Sequence, residues 1–392
     1  MKKECLDCAP LPRSHFEKYL ESIISHLLPN PSSGLIYKTQ GLFIRLLMGI
    51  GLIKVRPYES TPAIYMRSSI FIEEGIKRGY KFYTLFNALG RPINMFYLER
   101  GGRKYLFEGL PRAEFIKGAD GGFIDDKATV KKLLTKMGVP TPQGKCFSIL
   151  KYWRALNYGK KLGFPLVIKP RSGSTSHHVR INIQDENALK DALKSVFRYE
   201  PYAIVERYIP NTRVYRATVI DGKHIAVVER RPANVIGDGK HTVAQLIDIK
   251  NEDPQRIKAG EVNGTFYKVV IDKKTEELLK KQRYAFASIP PQEKIVYLQE
   301  KVLLDFGADI IEVTKKVHKD NLELFRRVAQ EFKAKLIGID FIALDISKSW
   351  KEQDSAIIEL NSLPFVDMHH HPIKGEPVNV AGYLCNMVEK YY

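Results

Sequence analysis

Three oxygen-bearing side chains near the end of the chain have the types and spacing of a metal site. Glu359 and Asn361 lie two residues apart in the apolar segment AIIELNSLP, so the alternation of a strand places them on one face. Asp340 lies in the preceding apolar segment, LIGIDFIALDI, and the short polar loop between the two segments predicts antiparallel neighbours. Such oxygens suit Mg²⁺, which takes one or two protein carboxylates and completes its coordination with water and phosphate oxygens. In the alternative interpretation, Asp340 is a solvated strand end and Glu359 an edge residue.

A second candidate site follows the apolar segment FPLVIKP. Lys169 lies near the end of this predicted strand, and the polar loop RSGSTSHH comes next. The lysine supplies a point charge for a phosphate group, and the backbone and hydroxyl donors of the loop suit phosphate oxygens. The candidate donors are Ser172, Gly173, Ser174, Thr175 and Ser176. The loop is not a Walker A motif, because G-x-x-x-x-G-K-[ST] is absent, and a flexible serine loop is the alternative.

A group of cations could complete an anion site. Lys127 lies at the start of a predicted helix, while Arg216 and Arg231 lie near the open end of a predicted hairpin, YRATVIDGKHIAVVERR. Antiparallel pairing would bring these two arginines together, and two guanidiniums there could hold an anion bidentately. Arg230 belongs to the same group of cations. A solvated basic edge is the alternative.

The elements that must position these residues mix helices and strands without a doubly wound order. DDKATVKKLLTKMG predicts a helix capped by Asp125 or Asp126, and DENALKDALKSVF and DNLELFRRVAQEFKA predict two more. YAIVERYI, KFYTLFNA and RKYLFEG predict strands, and the polar stretch 232–296 predicts a surface excursion. We therefore predict an α+β class with an N-terminal α/β domain at 1–118 that contributes to substrate selection. A subdomain with the phosphate loop follows at 119–205, and a subdomain with the hairpin, the excursion and the metal site follows at 206–392.

The overall charge limits the partners of the chain. The 392 residues carry a formal net charge of +18, which favours anionic partners such as nucleotides, acidic substrates, nucleic acid or an anionic membrane surface. No concentrated run of basic and aromatic residues, typical of nucleic-acid binding, is present. The most apolar stretch, GLFIRLLMGIGLI at 41–53, is shorter than the roughly 20 residues of a membrane span. We interpret it as a core segment, with a membrane-surface contact as the alternative.

Cysteines and histidines give weak metal signals. Cys5 and Cys8 form a lone C-x-x-C, with His15 as a candidate third ligand, and no second C-x-x-C is present. The histidines of MHHHP and SHH have no cysteine or carboxylate at metal spacing. We expect reduced thiols and hydrogen-bonding histidines, which together with the absence of a secretory signal predict a cytoplasmic protein.

The order of these segments resembles the ATP-grasp superfamily, and most closely the ATP-grasp part of cyanophycin synthetase. Bacterial glutathione synthetases and D-alanine–D-alanine ligase are more distant likenesses. The resemblance runs from about Asp125 to the C-terminus. Its landmarks are DDKATVKKLLTKMGVPTP, FPLVIKP, IVERYIP, YRATVIDGKHIAVVERRPANVIGDGKHT, EVTKKVH, GIDFIALDI and IIELNSLP with MHHHPIKGEP. It implies an ATP-grasp fold, in which two α+β subdomains grip ATP behind the small N-terminal domain.

The resemblance also implies how a nucleotide is bound. Lys127 and Lys169 would hold the α- and β-phosphates, and the loop from Ser172 to Ser176 would close over them. Adenine would be contacted by Glu206 and by the backbone of Arg207 and Ile209. Val214 stands where the family has an acidic residue that touches ribose.

The implied chemistry is that of an ATP-dependent carboxylate–amine ligase. Arg216 and Arg231 would stabilise the transferring phosphoryl group and an acyl-phosphate. Asp340, Glu359 and Asn361 would bind one or two Mg²⁺ ions, for which Mn²⁺ can substitute. The substrate would be an amino acid, a peptide or another small anionic molecule, and a homo-oligomer is compatible with these features. An ATP-grasp kinase and a nucleotide-binding protein without turnover are the alternatives.

Overall fold

The computed structural model describes residues 15–16, 19–20, 22–23, 33–59, 65–113, 124–173, 178–258, 261 and 264–392. Within these ranges, three sheets of four or five strands form the framework, and two small two-stranded sheets join them. Helices cover the sheets, so the chain belongs to the α+β class that the sequence predicts.

The first sheet lies in an N-terminal unit and is entirely antiparallel. The unit contains helix α1 (Ser33–Gly49), strand β1 (Ile53–Pro57), helix α2 (Met66–Lys77) and strands β2 (Lys81–Asn87), β3 (Pro92–Arg100) and β4 (Arg103–Glu108). The strands pair in sequence order, each antiparallel to the next. The strands predicted in KFYTLFNA and RKYLFEG are thus confirmed as β2 and β4.

The second sheet carries the predicted phosphate loop. Helix α3 (Lys127–Lys136) precedes it and is capped by Asp126, whose carboxylate accepts hydrogen bonds from the backbone nitrogens of Ala128 and Thr129. The unit then contains β5 (Gly144–Ser148), α4 (Tyr152–Leu162), β6 (Leu166–Pro170), β7 (Arg180–Ile183), α5 (Glu186–Tyr199) and β8 (Tyr202–Arg207). The strands lie in the order β5-β8-β6-β7. Apolar side chains of α4 and α5 pack on one face of this sheet.

The predicted hairpin leads into the predicted excursion. Strands β9 (Arg213–Ile220) and β10 (His224–Arg231) form the hairpin, and both Asp221 and Gly222 have positive φ at its turn. The excursion contains β11 (Asn234–Ile236), α6 (Val243–Asn251), β12 (Arg256–Ile257), β13 (Phe266–Tyr267), α7 (Lys273–Lys281) and β14 (Ile295–Tyr297). It has a small hydrophobic core of its own, formed around Val235, Leu279 and Val296. The stretch is therefore a folded insertion and not only a polar surface loop.

The third sheet holds the predicted metal residues. After β15 (Asp309–Glu312) and helix α8 (Lys319–Glu331), strands β16 (Leu336–Ala343) and β17 (Ser355–Asn361) form an antiparallel pair, as the sequence predicts. The strand order is β15-β10-β9-β16-β17. One face of this sheet packs against α3 and α8 in the largest hydrophobic core, to which Val130, Phe325 and Phe341 belong.

The N-terminal unit shares a core with the end of the chain. Helices α9 (Asp367–His370) and α10 (Val380–Tyr391) follow β17. Phe71 of α2 and Phe96 of β3 pack in one cluster with Leu384 and Val388 of α10. The predicted boundary near residue 118 therefore separates two parts of one hydrophobic core.

The apolar stretch 41–53 differs from the sequence interpretation. Ile44 is buried, but Leu42, Phe43 and Leu46 of α1 are 71%, 58% and 61% exposed. The interpretation of this stretch as a core segment is wrong for most of its apolar side chains. None of the helices in the described ranges has the length and apolar character that a bilayer span requires.

Candidate nucleotide and metal site

A cavity of about 500 Å³ lies between the second and third sheets. Its volume is within the roughly 300–1,000 Å³ range of small-molecule sites. It brings together residues that the sequence predicts as site residues: Lys127, Lys169, Glu206, Arg207, Ile209, Arg231, Asp340 and Glu359. Leu278, Gln282 and Tyr297 of the excursion also line the cavity, so the excursion forms one of its walls.

Asp340 and Glu359 are direct neighbours on adjacent strands. They are paired across β16 and β17, and Asn361 is paired with Gly338 two residues further along the ladder. The ladder therefore brings the predicted oxygen donors to one end of the strand pair. The amide nitrogen of Asn361 is buried and has no hydrogen-bond partner in the described part of the chain. A donor set of two carboxylates and an amide fits a hard divalent cation.

Asp340 is held between two arginines. Arg216 donates from Nε to Oδ1 and from Nη2 to Oδ2, the second at 3.1 Å. Arg230 Nη2 lies 2.9 Å from the same Oδ2. Burial alone would raise the pKa of Asp340, but the two guanidiniums outweigh it and hold the pKa below its ordinary value. These buried groups thus form a charge cluster with one positive charge in excess.

The second arginine of this cluster is not the predicted one. Strand pairing places Val214 opposite Arg230 and Val228 opposite Arg216, so Arg230 lies on the face of Arg216. Arg231 instead contacts Glu229, with 2.9 Å between Nη2 and Oε1. The structure therefore places Arg216 and Arg230, and not Arg216 and Arg231, together on Asp340.

Lysines contact two further carboxylates of the cavity lining, Glu359 and Glu206. Lys127 Nζ lies 3.3 Å from Glu359 Oε1. Glu206 is fully buried between Lys169, at 2.6 Å, and Lys131, at 2.9 Å. Burial alone would raise the pKa of Glu206, but the two lysines lower it. Sequence reasoning did not select Lys131, although it lies one helical turn from Lys127 and so shares its face of α3.

The described base of the phosphate loop is anchored by polar contacts. The backbone nitrogen of Ser172 donates to both carboxylate oxygens of Glu200 at 3.0 Å. The carbonyl oxygen of Gly173 accepts a hydrogen bond from Lys127 Nζ. Gly173 has φ of +102°, a conformation that favours glycine. The predicted donors at 174–176, which are Ser174, Thr175 and Ser176, lie outside the described residues, as does the predicted pair Cys5 and Cys8.

Part of the cavity lining is apolar and lies beside β8. The apolar lining residues include Val167, Ile181, Val302 and Ile342, and Arg207 and Ile209 line the same cavity. Glu206 of β8 also lines the cavity, and each of its carboxylate oxygens faces a lysine.

Glu229 is a further carboxylate of the cavity lining, and it contacts Arg231 on the face of β10 opposite to Arg230. It lines the cavity beside Arg213 and Val214, and it is 7% exposed. The sequence search overlooked it because a glutamate next to two arginines is also typical of a solvated strand end.

Comparisons with known proteins agree with this geometry. No family model matches the chain. The chain is 35% identical over 264 residues to a cyanophycin synthetase from Trichormus variabilis, a match that covers 67% of this chain and 29% of the relative. It is 30% identical over 319 residues to the glutathione biosynthesis bifunctional protein GshAB of Clostridium perfringens, with 79% and 39% covered. The chain thus spans well under half the length of both relatives.

A solved structure shows the same fold. The bifunctional glutathione synthetase from Pasteurella multocida matches with a TM-score of 0.59 and 23% identity, over 84% of this chain and 44% of that one. The fold and the cavity between its two sheets define an ATP-grasp protein, which confirms the fold that the resemblance implies. The chain belongs to the ATP-grasp superfamily, as a homologue of cyanophycin synthetases and of GshAB proteins.

Proposed function

We propose that the chain is an ATP-dependent carboxylate–amine ligase that makes an amide bond through an acyl-phosphate. The observation that carries the proposal is the cavity itself, in which lysines and arginines surround a pair of adjacent carboxylates. Its relatives support this class of reaction, since they are named as synthetases and a glutathione biosynthesis protein. The substrate class proposed is an amino acid, a peptide or another small anionic molecule.

The nucleotide would extend along the cavity from β8 to the charge cluster. Its base would lie among the apolar side chains near Arg207 and Ile209. Its phosphates would lie near Lys127 and Lys169, under the loop that begins at Ser172.

Asp340, Glu359 and Asn361 would hold Mg²⁺, or Mn²⁺ in its place. When bound, the ion neutralises charge on the phosphates. Lys127 already lies against Glu359, at 3.3 Å, so it would be shared between that carboxylate and a phosphate oxygen. One or two ions are compatible with a donor set of this size.

The reaction would proceed in two displacements. A substrate carboxylate oxygen attacks the γ-phosphorus of ATP, the bond to the β–γ bridging oxygen breaks, and ADP leaves. The amine then attacks the carbonyl carbon of the acyl-phosphate, phosphate leaves with the electron pair of the broken C–O bond, and the amine loses a proton. Arg216 and Arg230 converge on Asp340, and we propose these two guanidiniums for stabilisation of the negative charge on the transferring group. Arg231, which contacts Glu229 and not Asp340, is a second candidate for this role.

Release of ADP in the presence of pooled amino acids and dipeptides tests the proposal. The product mixture is then examined by mass spectrometry for a new amide. We expect ADP and free phosphate in equal amounts, together with a product whose mass is the sum of two substrates less one water. Phosphate retained on the substrate would instead indicate a kinase, and absence of any turnover would favour a nucleotide-binding protein.

A further inference from the structure

One side of helix α1 is fixed to the first sheet. Ile44 is 5% exposed and packs in a cluster with buried side chains of β1, β2 and β4, and Leu47 packs against the same cluster. The hydroxyl group of Tyr97 donates to Sδ of Met48 at 3.8 Å. These contacts set the rotation of α1 about its axis, so its other side faces away from the sheet.

The outward side of α1 is apolar and exposed. Leu42, Phe43 and Leu46 are 71%, 58% and 61% exposed. The backbone nitrogen of Ile50 donates to the carbonyl oxygen of Leu46 at 3.2 Å, which extends the helical hydrogen bonding to Ile50, itself 62% exposed. At 3.6 residues per turn, Leu42 and Leu46 lie opposite Ile44, and the two other residues lie beside them. We call Leu42, Phe43, Leu46 and Ile50 the apolar patch.

Exposed leucines continue the apolar surface beyond the end of α1. Leu52 is 47% exposed, and its backbone nitrogen donates to the carbonyl oxygen of Leu47 at 2.9 Å. The turn between β2 and β3 lies next to this end of the helix, because Asn87 is paired with Ile53. Leu89 in that turn is 78% exposed. The apolar surface is therefore supported by ordered backbone on both sides of the helix end.

The segment that carries the apolar patch is basic. The sequence from Ser33 to Tyr58 contains no Asp or Glu, and its basic residues are Lys38, Arg45, Lys54 and Arg56. The side chains of Arg45, Lys54 and Arg56 are exposed, and Arg45 lies on α1 between Leu42 and Leu46. Isolated exposed apolar residues are ordinary, but an exposed apolar patch with polar residues at its rim marks an interaction surface. The charge of this rim requires an anionic partner.

We propose that the apolar patch binds an anionic lipid surface, with α1 lying in the plane of the membrane. The apolar side chains enter the boundary between headgroups and acyl chains, and Arg45 and Lys54 contact the lipid phosphates. Side chains that are more than half exposed form a ridge, which a fluid lipid surface accommodates without a complementary shape. No residue of the apolar patch lines the nucleotide cavity, so the proposal goes beyond the proposed function and does not depend on it.

A second copy of the chain fits this surface less well. Two copies that bury the same patch meet across a twofold axis, so each residue lies close to its own counterpart. Arg45 would then approach the same arginine of the other copy, and like charges that meet at an interface oppose binding. An anionic lipid surface instead attracts every exposed cation of the segment.

Flotation with lipid vesicles tests the proposal on the full chain. One set of vesicles contains phosphatidylcholine alone, and the other contains equal parts of phosphatidylcholine and phosphatidylglycerol. We expect the chain to float with the anionic vesicles, to float poorly with the neutral ones, and to bind less as the salt concentration rises. Failure to float with either set, or equal binding to both, would overturn the proposal. The measurement needs neither nucleotide nor turnover, so its outcome is independent of the proposed ligase activity.

Two sets of substitutions separate the apolar and the basic contributions. Leu42→Ser, Phe43→Ser and Leu46→Ser in one chain should weaken partitioning onto anionic vesicles on the order of a hundredfold or more. Arg45→Gln and Lys54→Gln in one chain should weaken it about fivefold for each charge removed. Wild-type partitioning in both variants would show that lipid binds elsewhere on the molecule. The Gln pair decides the question if the triple variant does not fold.

A matched variant and the oligomeric state complete the test. Ile249→Ser, Ile271→Ser and Ile289→Ser in one chain replace residues of the excursion that are 50%, 49% and 54% exposed, and this variant should partition like the wild type. All folded variants should melt within about 2 °C of the wild type, because only exposed side chains change. A wild-type dimer that binds no vesicles and dissociates in the triple patch variant, measured by light scattering, would assign the patch to a second copy and refute the lipid proposal.

Discussion

Replacement of Asp340 by Asn tests the charge cluster at the centre of the cavity. The Asp340 carboxylate holds Arg216 and Arg230, and the side chains of these three residues are 6%, 5% and 13% exposed. The amide keeps the size of the carboxyl group but removes its charge, so two buried guanidiniums lose their counterion. Breaking a buried ion pair in this way costs about 3–5 kcal/mol of folding free energy.

This cost converts into a measurable change in melting temperature. Unfolding entropy of about 2.1 cal/mol/K per residue gives about 0.8 kcal/mol/K for a chain of 392 residues. Asp340→Asn should therefore melt about 4–6 °C below the wild type. Tripolyphosphate should stabilise the variant more than the wild type, because it supplies negative charge to the same guanidiniums. Calorimetric melting with and without tripolyphosphate measures both effects.

Asp191→Asn on the exposed face of α5 is the matched control, and it should melt within about 1 °C of the wild type. Coincident melting of Asp340→Asn and the wild type would show that the guanidiniums do not depend on this carboxylate. An equal response of both proteins to tripolyphosphate would show that the anion binds elsewhere. Either result would refute the reasoning that makes this cluster the phosphate end of the cavity.

Two further substitutions test the metal end and the helix that carries Lys127. Glu359→Gln should abolish Mg²⁺-dependent ADP release and leave the far-ultraviolet circular dichroism spectrum unchanged. The exposed control Glu352→Gln should keep its turnover. Normal turnover in Glu359→Gln would contradict the metal assignment. Asp126→Asn should cost about 1 kcal/mol near neutral pH, because the amide can still cap the helix but loses the ion pair with Arg171. Burial alone would raise the pKa of Asp126, but Arg171 and Thr129 lower it to about 2. In urea unfolding, the difference in free energy of unfolding between wild type and variant should therefore be complete above about pH 4 and shrink as the pH falls towards 2.

The strand pair at the metal end could be predicted because its signals are local. Alternation fixes the relation of Glu359 to Asn361, and a short polar loop makes β16 and β17 neighbours. The helix that begins after Asp126 follows in the same way from its cap and its apolar period. Wherever one short segment determines the geometry, the sequence was sufficient to predict the element.

The choice of the second arginine required information that the sequence does not hold. Arg230 and Arg231 are adjacent, and a shift of one residue in strand register exchanges the faces on which they lie. The register is set by the pairing of β10 with both β9 and β15, which lie far apart in the chain. A hairpin read by itself therefore could not decide between the two guanidiniums.

The N-terminal unit was the least predictable part for a related reason. Its aromatic side chains alternate as strands should, but the surface they cover belongs to α10 at the other end of the chain. The residues 41–53 are apolar enough for a core, yet most of their large side chains are exposed. Burial depends on which partner surface is available, and hydropathy alone does not identify that partner.

The charges of the cavity explain why its predicted roles and its observed contacts differ. Five cations of the cavity region meet three carboxylates there, and the ion pairs are Lys127 with Glu359, Lys131 and Lys169 with Glu206, and Arg216 and Arg230 with Asp340. Every carboxylate proposed to bind metal is thus engaged by a cation proposed to bind phosphate. A nucleotide that binds without its metal ion would draw the lysines and arginines away from the carboxylates and leave those carboxylates unpaired. A metal ion that binds without nucleotide would be repelled by the same lysines and arginines. Bound together they exchange one set of ion pairs for another, and because these cations outnumber the three carboxylates they contact, the group is suited to an anionic metal–nucleotide complex.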